Sequence, residues 1–426
     1  MSASRTEPRL CLQGLTPAAM ARALGDGATE AETRKVVSAV HRDLSLAEPR
    51  VGVRRATMAA VRARGHVPTL AIVAEQASRV DPFVKYVLET EDAQRIETVR
   101  IPLERAGRFS VCVSSQVGCA LACAFCATGR LGLRRNLETW EIVEQVRIVR
   151  RGILGGLHPG SGLPAGSRVH GVVFQGMGEP MANLDRVLEA IAILCDPSAL
   201  AIDARAMTVC TAGLPSGIRR LAREAPRVRL GLSIGSARTE VRRRLMPIDK
   251  AHPLAEVLDA AAEHATVTGL APMWAVTPLA TVNDAPEDAI ALAKLVKDFT
   301  ARTGVRPRLS IVPYNSISLS DDPYRRQTDA RAKAFRDALV AEGVYPHLRY
   351  SGGGDVAAAC GQLARSVADE PSPALSSVIA GAAPSASAVL CVASPTAEAE
   401  APVAADLVAP RPSARAGGAD FLLRSP

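Results

Sequence analysis

Val111-Cys112-Val-Ser-Ser-Gln-Val-Gly-Cys119-Ala-Leu-Ala-Cys123-Ala-Phe-Cys126-Ala-Thr-Gly129 carries three thiols within eight residues, on a loop that follows the apolar run Phe109 to Val113. Thiolates this close select a soft metal. A zinc site needs a fourth ligand about one centre, yet the nearest following histidine is His158 and no second cysteine pair of zinc-ribbon spacing exists. Three cysteines suit a cubane iron–sulfur cluster with one open iron. A zinc-containing RNA-binding module is the alternative from another class.

Outward from this loop, short β-branched runs alternate with helical patterns. Val169 to Phe174, Ala206 to Cys210, Val228 to Ile234, Pro272 to Thr277, Arg308 to Pro313 and Tyr345 to Tyr350 read as strands. Between them lie amphipathic stretches such as Asn136 to Ile153, with Leu137, Trp140, Val143, Val146 and Ile148 on one stripe. Repeated right-handed βα units close into a full or partial barrel whose chemistry sits on loops at the carboxyl ends of the strands. The expected fold class is therefore α/β, a partial (β/α)6 barrel.

Residues 1–90 read as a small helical accessory domain, with Pro17 to Leu24, Glu30 to Leu44 and Arg54 to Arg64 as helices. Residues 91–368 form the expected core. Residues 369–426 hold 16 Ala, 8 Pro and 8 Ser, too little apolar bulk to offset ordering entropy, and read as a disordered tail.

Charge points to a polyanionic partner. The 426-residue chain has a net charge of +8, and because its tail holds three Arg against six acids, residues 1–368 carry +11. Residues 1–82 contain no Phe, Tyr or Trp, so this segment offers arginines for backbone contacts rather than rings for base stacking. No apolar stretch is long enough for a membrane helix and the amino terminus lacks a basic-then-apolar leader, so a cytoplasmic protein without a membrane partner is expected. Nine cysteines in such a chain do not form a disulfide framework. Cys11, Cys195 and Cys391 have no motif partners.

The CxxxCxxC spacing resembles the signature of the radical S-adenosylmethionine superfamily, and its wider context resembles the RlmN/Cfr family of ribosomal RNA adenine methyltransferases. Four further segments agree in order and spacing: Phe174-Gln-Gly-Met-Gly-Glu179-Pro180, Leu232-Ser233-Ile-Gly-Ser, Val312-Pro-Tyr-Asn315-Ser and Ala358-Ala-Cys360-Gly-Gln-Leu. The similarity spans roughly residues 80–365. It implies a [4Fe-4S] cluster on Cys119, Cys123 and Cys126, with S-adenosylmethionine on the open iron. By the same resemblance Gly178, Glu179, Cys210, Ser233, Ile234, Gly235 and Asn315 contact this cofactor.

The resemblance also implies the chemistry. C2 and C8 of adenine are not nucleophiles toward a sulfonium methyl, so a radical route is needed. Cys360 takes a methyl group from one cofactor molecule, and a radical generated from a second removes hydrogen from it. The resulting carbon radical adds to adenine, Glu97 accepts the ring proton, and Cys112 attacks the sulfur of Cys360 to release the base and leave a disulfide. An external electron donor of flavodoxin or ferredoxin type resets the enzyme.

The sequence departs from the family pattern in places. Cys210 stands where the family has Ser, Gly235 where it has His, and the stretch from Glu97 to Cys112 is two residues longer. An ordinary surface carboxylate is the alternative at Glu97. Ser351-Gly-Gly-Gly354 replaces an Arg-Gly pair of the RlmN type, while Val312-Pro-Tyr-Asn-Ser leans toward Cfr. C2 and C8 thus both stand open, with C2 slightly ahead as the commoner activity in the family the sequence resembles. The expected substrate is structured RNA, 23S ribosomal RNA ahead of transfer RNA, acted on by a monomer. A radical enzyme for a small molecule or a protein is the rival within the superfamily.

Overall fold

A computed structural model describes residues 9–25, 27–155, 163–317 and 322–363. The expected tail and Cys391 lie outside the described residues.

A two-residue strand β1 (Leu10–Cys11) opens the chain and pairs with β2 (Gly65–His66). Between them lie α1 (Pro17–Leu24), α2 (Glu30–His41) and α3 (Arg55–Arg64). Thr16 caps α1 by accepting from the Ala19 N–H at 3.2 Å, and Thr29 with Glu32 forms a capping box on α2. The Glu32 carboxylate also accepts from Arg54 and Thr57, which ties α2 to α3. Leu12, Met20, Leu24, Val36, Val37, Val40, Met58 and Val61 give this segment its own apolar cluster.

The helical segment ends at Arg64, short of the expected boundary at residue 90. β3 (Ala71–Ala77) and β4 (Val84–Glu89) are strands of the main sheet instead. Ala71-Ile-Val-Ala-Glu-Gln-Ala is helix-compatible by propensity, but pairing with β4 overrides it. β5 (Arg95–Pro102) and β6 (Arg108–Val113) continue the antiparallel run.

After β6 come the hairpin strand β7 (Gln116–Gly118), the short helix α4 (Ala127–Arg130), β8 (Leu133–Asn136) and α5 (Thr139–Gly155). Six βα units then build the parallel part. β6 is followed by α5, β9 (Arg168–Phe174) by α6 (Leu184–Cys195), and β10 (Met207–Thr211) by α7 (Pro215–Glu224). β11 (Arg229–Ser233) is followed by α8 (Thr239–Leu245) and α9 (Leu254–Thr268), β12 (Met273–Val276) by α10 (Pro286–Thr303), and β13 (Arg308–Ile311) by α11 (Asp329–Ala341). A two-residue β14 (His347–Leu348) ends the series.

The sheet order is β14-β13-β12-β11-β10-β9-β6-β5-β4-β3, parallel from β14 to β6 and antiparallel beyond. Phe109 to Val113, the apolar run before the cysteine loop, is thus itself the first parallel strand. The strands alternate: Val172, Phe174, Val209, Leu230, Leu232, Trp274 and Leu309 pack under the helices in the main core. The opposite face carries Cys112, Cys210, Gly231, Ser233, Ala275 and Ser310. Among the described residues no helix is long and apolar enough to cross a membrane.

Candidate active site

The carboxyl ends of β9, β10, β11, β12 and β13 surround a cavity of about 170 Å³. The three motif cysteines line it together with Gly178, Glu179, Cys210, Ser233, Gly235 and Cys360. Ile234, Asn315, Cys112 and Glu97 are not among its lining residues.

The cysteine loop runs from β7 to α4 and is pinned by backbone bonds. Cys119 N–H donates to Gly132 O at 3.0 Å, Ala124 N–H to Leu245 O at 2.9 Å, and Ala127 N–H to Gly361 O at 2.8 Å. The last bond fixes the residue after Cys126 to the residue after Cys360. Burial pushes the Cys119 thiol up to about 11 and raises Cys123 further. The three motif cysteines line one cavity, with no histidine beside them among the described residues to complete a zinc site of the usual kind. Three soft donors without such a fourth ligand fit an iron–sulfur group with an open iron.

Glu179 follows the glycine turn at the end of β9. Gly178 has φ +99°, and a Cβ there would lie 2.5 Å from the Gln116 Cβ, so the turn can press against β7 only as glycine. Gln116 reaches back to accept from the Glu179 N–H at 2.8 Å. The buried Glu179 carboxylate accepts from Ala212 N–H at 2.9 Å and Met181 N–H at 3.1 Å. Desolvation raises its pKa against those bonds, and no cation pairs with it among the described residues. A buried carboxylate on the cavity wall without a cation suits the ammonium of a bound amino acid moiety.

Ser233 and Gly235 form the lip above β11. Gly235 has φ +70°, and a Cβ would run into the Met246 sulfur, so this chain has no room for the family's histidine. Asn283 holds the Gly235 carbonyl at 2.8 Å. Ile234 is fully buried and contributes through its backbone, its N–H bonded to Ala275 O at 2.9 Å. The Cys210 thiol turns toward Gly231 on β11.

Arg242 carried no sequence signal that set it apart in the run Arg242-Arg243-Arg244. It is fully buried, pairs with the equally buried Asp249 at 2.9 Å, and donates to Ala212 O at 2.8 Å, Ser233 O at 3.1 Å and Ile234 O. One guanidinium thereby gathers the ends of β10 and β11. Only helix phase would have found it, since Val241 and Leu245 fix the inward face of α8.

Cys360 and Cys112 come from opposite ends of the core. Cys112 on β6 is buried and pairs in register with Val99 on β5. Burial pushes its thiol up, and the neighbouring thiols of Cys360 and Cys210 push it further. The Cys360 residue as a whole is exposed, but its thiol lines the cavity, where desolvation raises its pKa and the nearby Arg349 guanidinium opposes the rise. Asn315 donates to Ser351 Oγ at 2.7 Å and Cys360 O at 3.2 Å, so its amide ties down the loop that bears the thiol.

Glu97 is not a surface carboxylate. It lies on β5 fully buried, 3.5 Å from Lys85 Nζ, and two residues from Val99, hence on the sheet face that carries Cys112.

No family model matches the chain. It is 56% identical over 380 residues to the protein named "Probable RNA methyltransferase" of Sorangium cellulosum, covering 84% of this chain and 93% of that one. It is 40% identical over 289 residues to the dual-specificity RNA methyltransferase RlmN of Syntrophobacter fumaroxidans, covering 68% and 78% of the two chains. The crystal structure of a radical SAM methyltransferase from Sphaerobacter thermophilus superposes with a TM-score of 0.73 at 31% identity, over 84% of this chain and all of that one.

Proposed function

Because the chain belongs to the RlmN/Cfr family of radical S-adenosylmethionine RNA methyltransferases, we propose that it methylates a ring carbon, C2 or C8, of an adenosine in 23S ribosomal RNA. The observation that supports this most is that two thiols 248 positions apart in sequence come within electrostatic reach of each other. Cys360 lines the same cavity as Cys119, Cys123 and Cys126, and Cys112 lies within its electrostatic reach.

Cys119, Cys123 and Cys126 would hold a [4Fe-4S] cluster, with Glu179 facing the ammonium of S-adenosylmethionine and Gly178, Cys210, Ser233 and Gly235 shaping the wall. When bound, cluster and cofactor supply a carbon radical on one-electron reduction by a flavodoxin or ferredoxin type donor. Ile234 and Asn315 act one layer back, through strand end and loop.

The chain's own residues do the rest. Cys360 loses its proton and carries the methyl group as a thioether. Glu97, 3.5 Å from Lys85 Nζ, takes the proton from the ring carbon once the carbon–carbon bond exists. With the adduct's unpaired electron lost to the oxidised cluster that the three cysteines would hold, Cys112 attacks the Cys360 sulfur as thiolate. The departing methylene carbon takes up a proton to become the methyl group of the base, and the two cysteines remain as a disulfide for an external reductant.

Anaerobically reconstituted protein incubated with unmodified 23S transcript, then digested to nucleosides for mass mapping, tests the reading. 2-Methyladenosine or 8-methyladenosine supports it. Cofactor turnover that is indifferent to RNA, or methylation of transfer RNA alone, contradicts it.

A further inference from the structure

The sheet face beneath the cavity carries three arginines, of which Arg349 alone also bears on the Cys360 thiol. Register aligns Cys210 with Gly231, Gly231 with Met273, and Met273 with Arg308, one row across β10 to β13. Arg229 stands one step lower on β11, two residues before Gly231 and so on the same face. Arg349, just beyond β14, reaches back over this face, with Nε 3.3 Å from Ser310 Oγ and Nη2 2.9 Å from the Met273 sulfur.

Contact links this group to the reaction site. A Cβ at Gly231 would lie 2.6 Å from the Cys210 sulfur and 3.3 Å from Met273 Cε. The row therefore steps from the cavity wall at Cys210, over the bare backbone of Gly231, to Met273 and the guanidinium of Arg349.

The three arginines lack acidic partners. Among the described residues none of Arg229, Arg308 and Arg349 forms an ion pair, whereas Arg219, Arg220, Arg227, Arg242 and Arg331 each do. Arg308 and Arg349 are exposed and Arg229 is half-buried. Desolvation and then the charges of Arg308 and Arg349 lower the Arg229 pKa, the mark of like charges held together. Such an arrangement costs free energy in the unliganded protein and is relieved by an anion. Guanidinium forks match phosphate oxygens in pairs.

We propose that Arg229, Arg308 and Arg349 grip the phosphodiester backbone of the RNA strand that delivers the target base to the cavity. The proposal rests on the reading of RNA as substrate. Cys210 and Arg308 are three strands apart, roughly 14 Å at the usual strand spacing, so Arg308 meets a phosphate flanking the base rather than the base itself, while Arg349 stands nearer the thiols. An acidic electron-donor protein is the other polyanion at hand. The row lies on the face opposite the helices of a sheet whose two edges are joined through Asp81, Tyr350 and Gly353, a face that a single strand reaches more readily than a folded surface.

The test uses the reconstituted full chain and unmodified 23S transcript as probe, with Kd measured over a series of salt concentrations. Arg229→Gln, Arg308→Gln and Arg349→Gln should each weaken binding about tenfold and lower the slope of log K against log salt by about 0.7 to 0.9. The Lys variants should restore the slope, and the cluster absorbance reports folding. Unchanged affinity and slope in all three Gln variants, with the unaltered protein binding in a salt-dependent way, would overturn the grip and leave the RNA reading standing. If the unaltered protein shows no salt-dependent binding, the RNA reading falls and the grip with it. Retained RNA binding with slower reduction by flavodoxin would overturn the proposal in favour of a donor surface.

Discussion

Asp81, in the turn between β3 and β4, accepts hydrogen bonds from the Tyr350 hydroxyl at 3.0 Å and from the Gly353 N–H at 2.8 Å. β3 and β14 are the two edges of the ten-stranded sheet, so one carboxylate joins them. Phe83 packs beside it against the Tyr350 ring, with centroids 6.4 Å apart. The segment so anchored leads directly to Cys360. Asp81→Ala should release it: two hydrogen bonds to a charged acceptor, worth about 1.5 kcal/mol after solvent competition, correspond to roughly tenfold faster amide exchange near residues 350–360. Cluster absorbance should stay unchanged while methyl loading of Cys360 slows. Equal exchange rates in the two proteins would show that the latch holds nothing.

The cysteine loop offers a colour test. Cys119→Ala, Cys123→Ala and Cys126→Ala should each abolish the brown cluster and the cleavage of S-adenosylmethionine, because each removes one of the three thiols that the cysteine loop brings to the cavity. Iron and sulfide analysis of anaerobically purified protein checks this. A fully loaded cluster in any one variant sinks the ligand assignment.

These two sites show what the sequence could and could not carry. The cluster motif is local, and the parallel strands declared themselves through β-branched runs, so β9 to β13 fall where the pattern put them. The strands β3 and β4 did not, since Ala71 to Ala77 acquires its strand character from a partner rather than from its own side chains. Asp81, Gln116 and Arg242 were silent for the same reason. Their meaning lies in contacts 272, 63 and 30 residues distant, which no spacing rule encodes.

Arg242 and Asp249 form an ion pair with neither side chain exposed. Removing one partner leaves the other charged and dry, so Asp249→Ala should cost about 3–5 kcal/mol of stability, read as a shifted midpoint in urea. The ends of β10 and β11 should loosen with it, and cofactor affinity should fall. A loss under 1 kcal/mol would mean that water already reaches the pair.

Two buried histidines set an acid limit. His41 and His264 have no hydrogen-bond partner on either ring nitrogen, and burial holds them down to about 3 and about 4. Arg147 and Arg150 add to the effect at His41. The unfolded chain binds protons at these rings near pH 6.5 while the folded chain does not, so stability is full above that pH and declines as pH falls toward 4. Each contributes about 1.4 kcal/mol per pH unit in that window. Denaturant titrations at pH 7 and pH 5 should show a smaller loss for His264→Leu than for the unaltered protein. An equal loss would place the acid sensitivity elsewhere.

The covalent route through two thiols is the centre of the account, and trapping tests it most directly. Without the resolving thiol the reaction must stop after the carbon–carbon bond forms and before release. Reconstituted Cys112→Ala incubated with unmodified RNA should therefore yield a protein–RNA adduct on denaturing gels. Nuclease digestion and peptide mass analysis should locate it at Cys360. Cys360→Ala, with no sulfur to carry the methyl group, should yield none. Normal turnover by Cys112→Ala, or RNA methylation by Cys360→Ala, would show that the methyl group does not pass through Cys360.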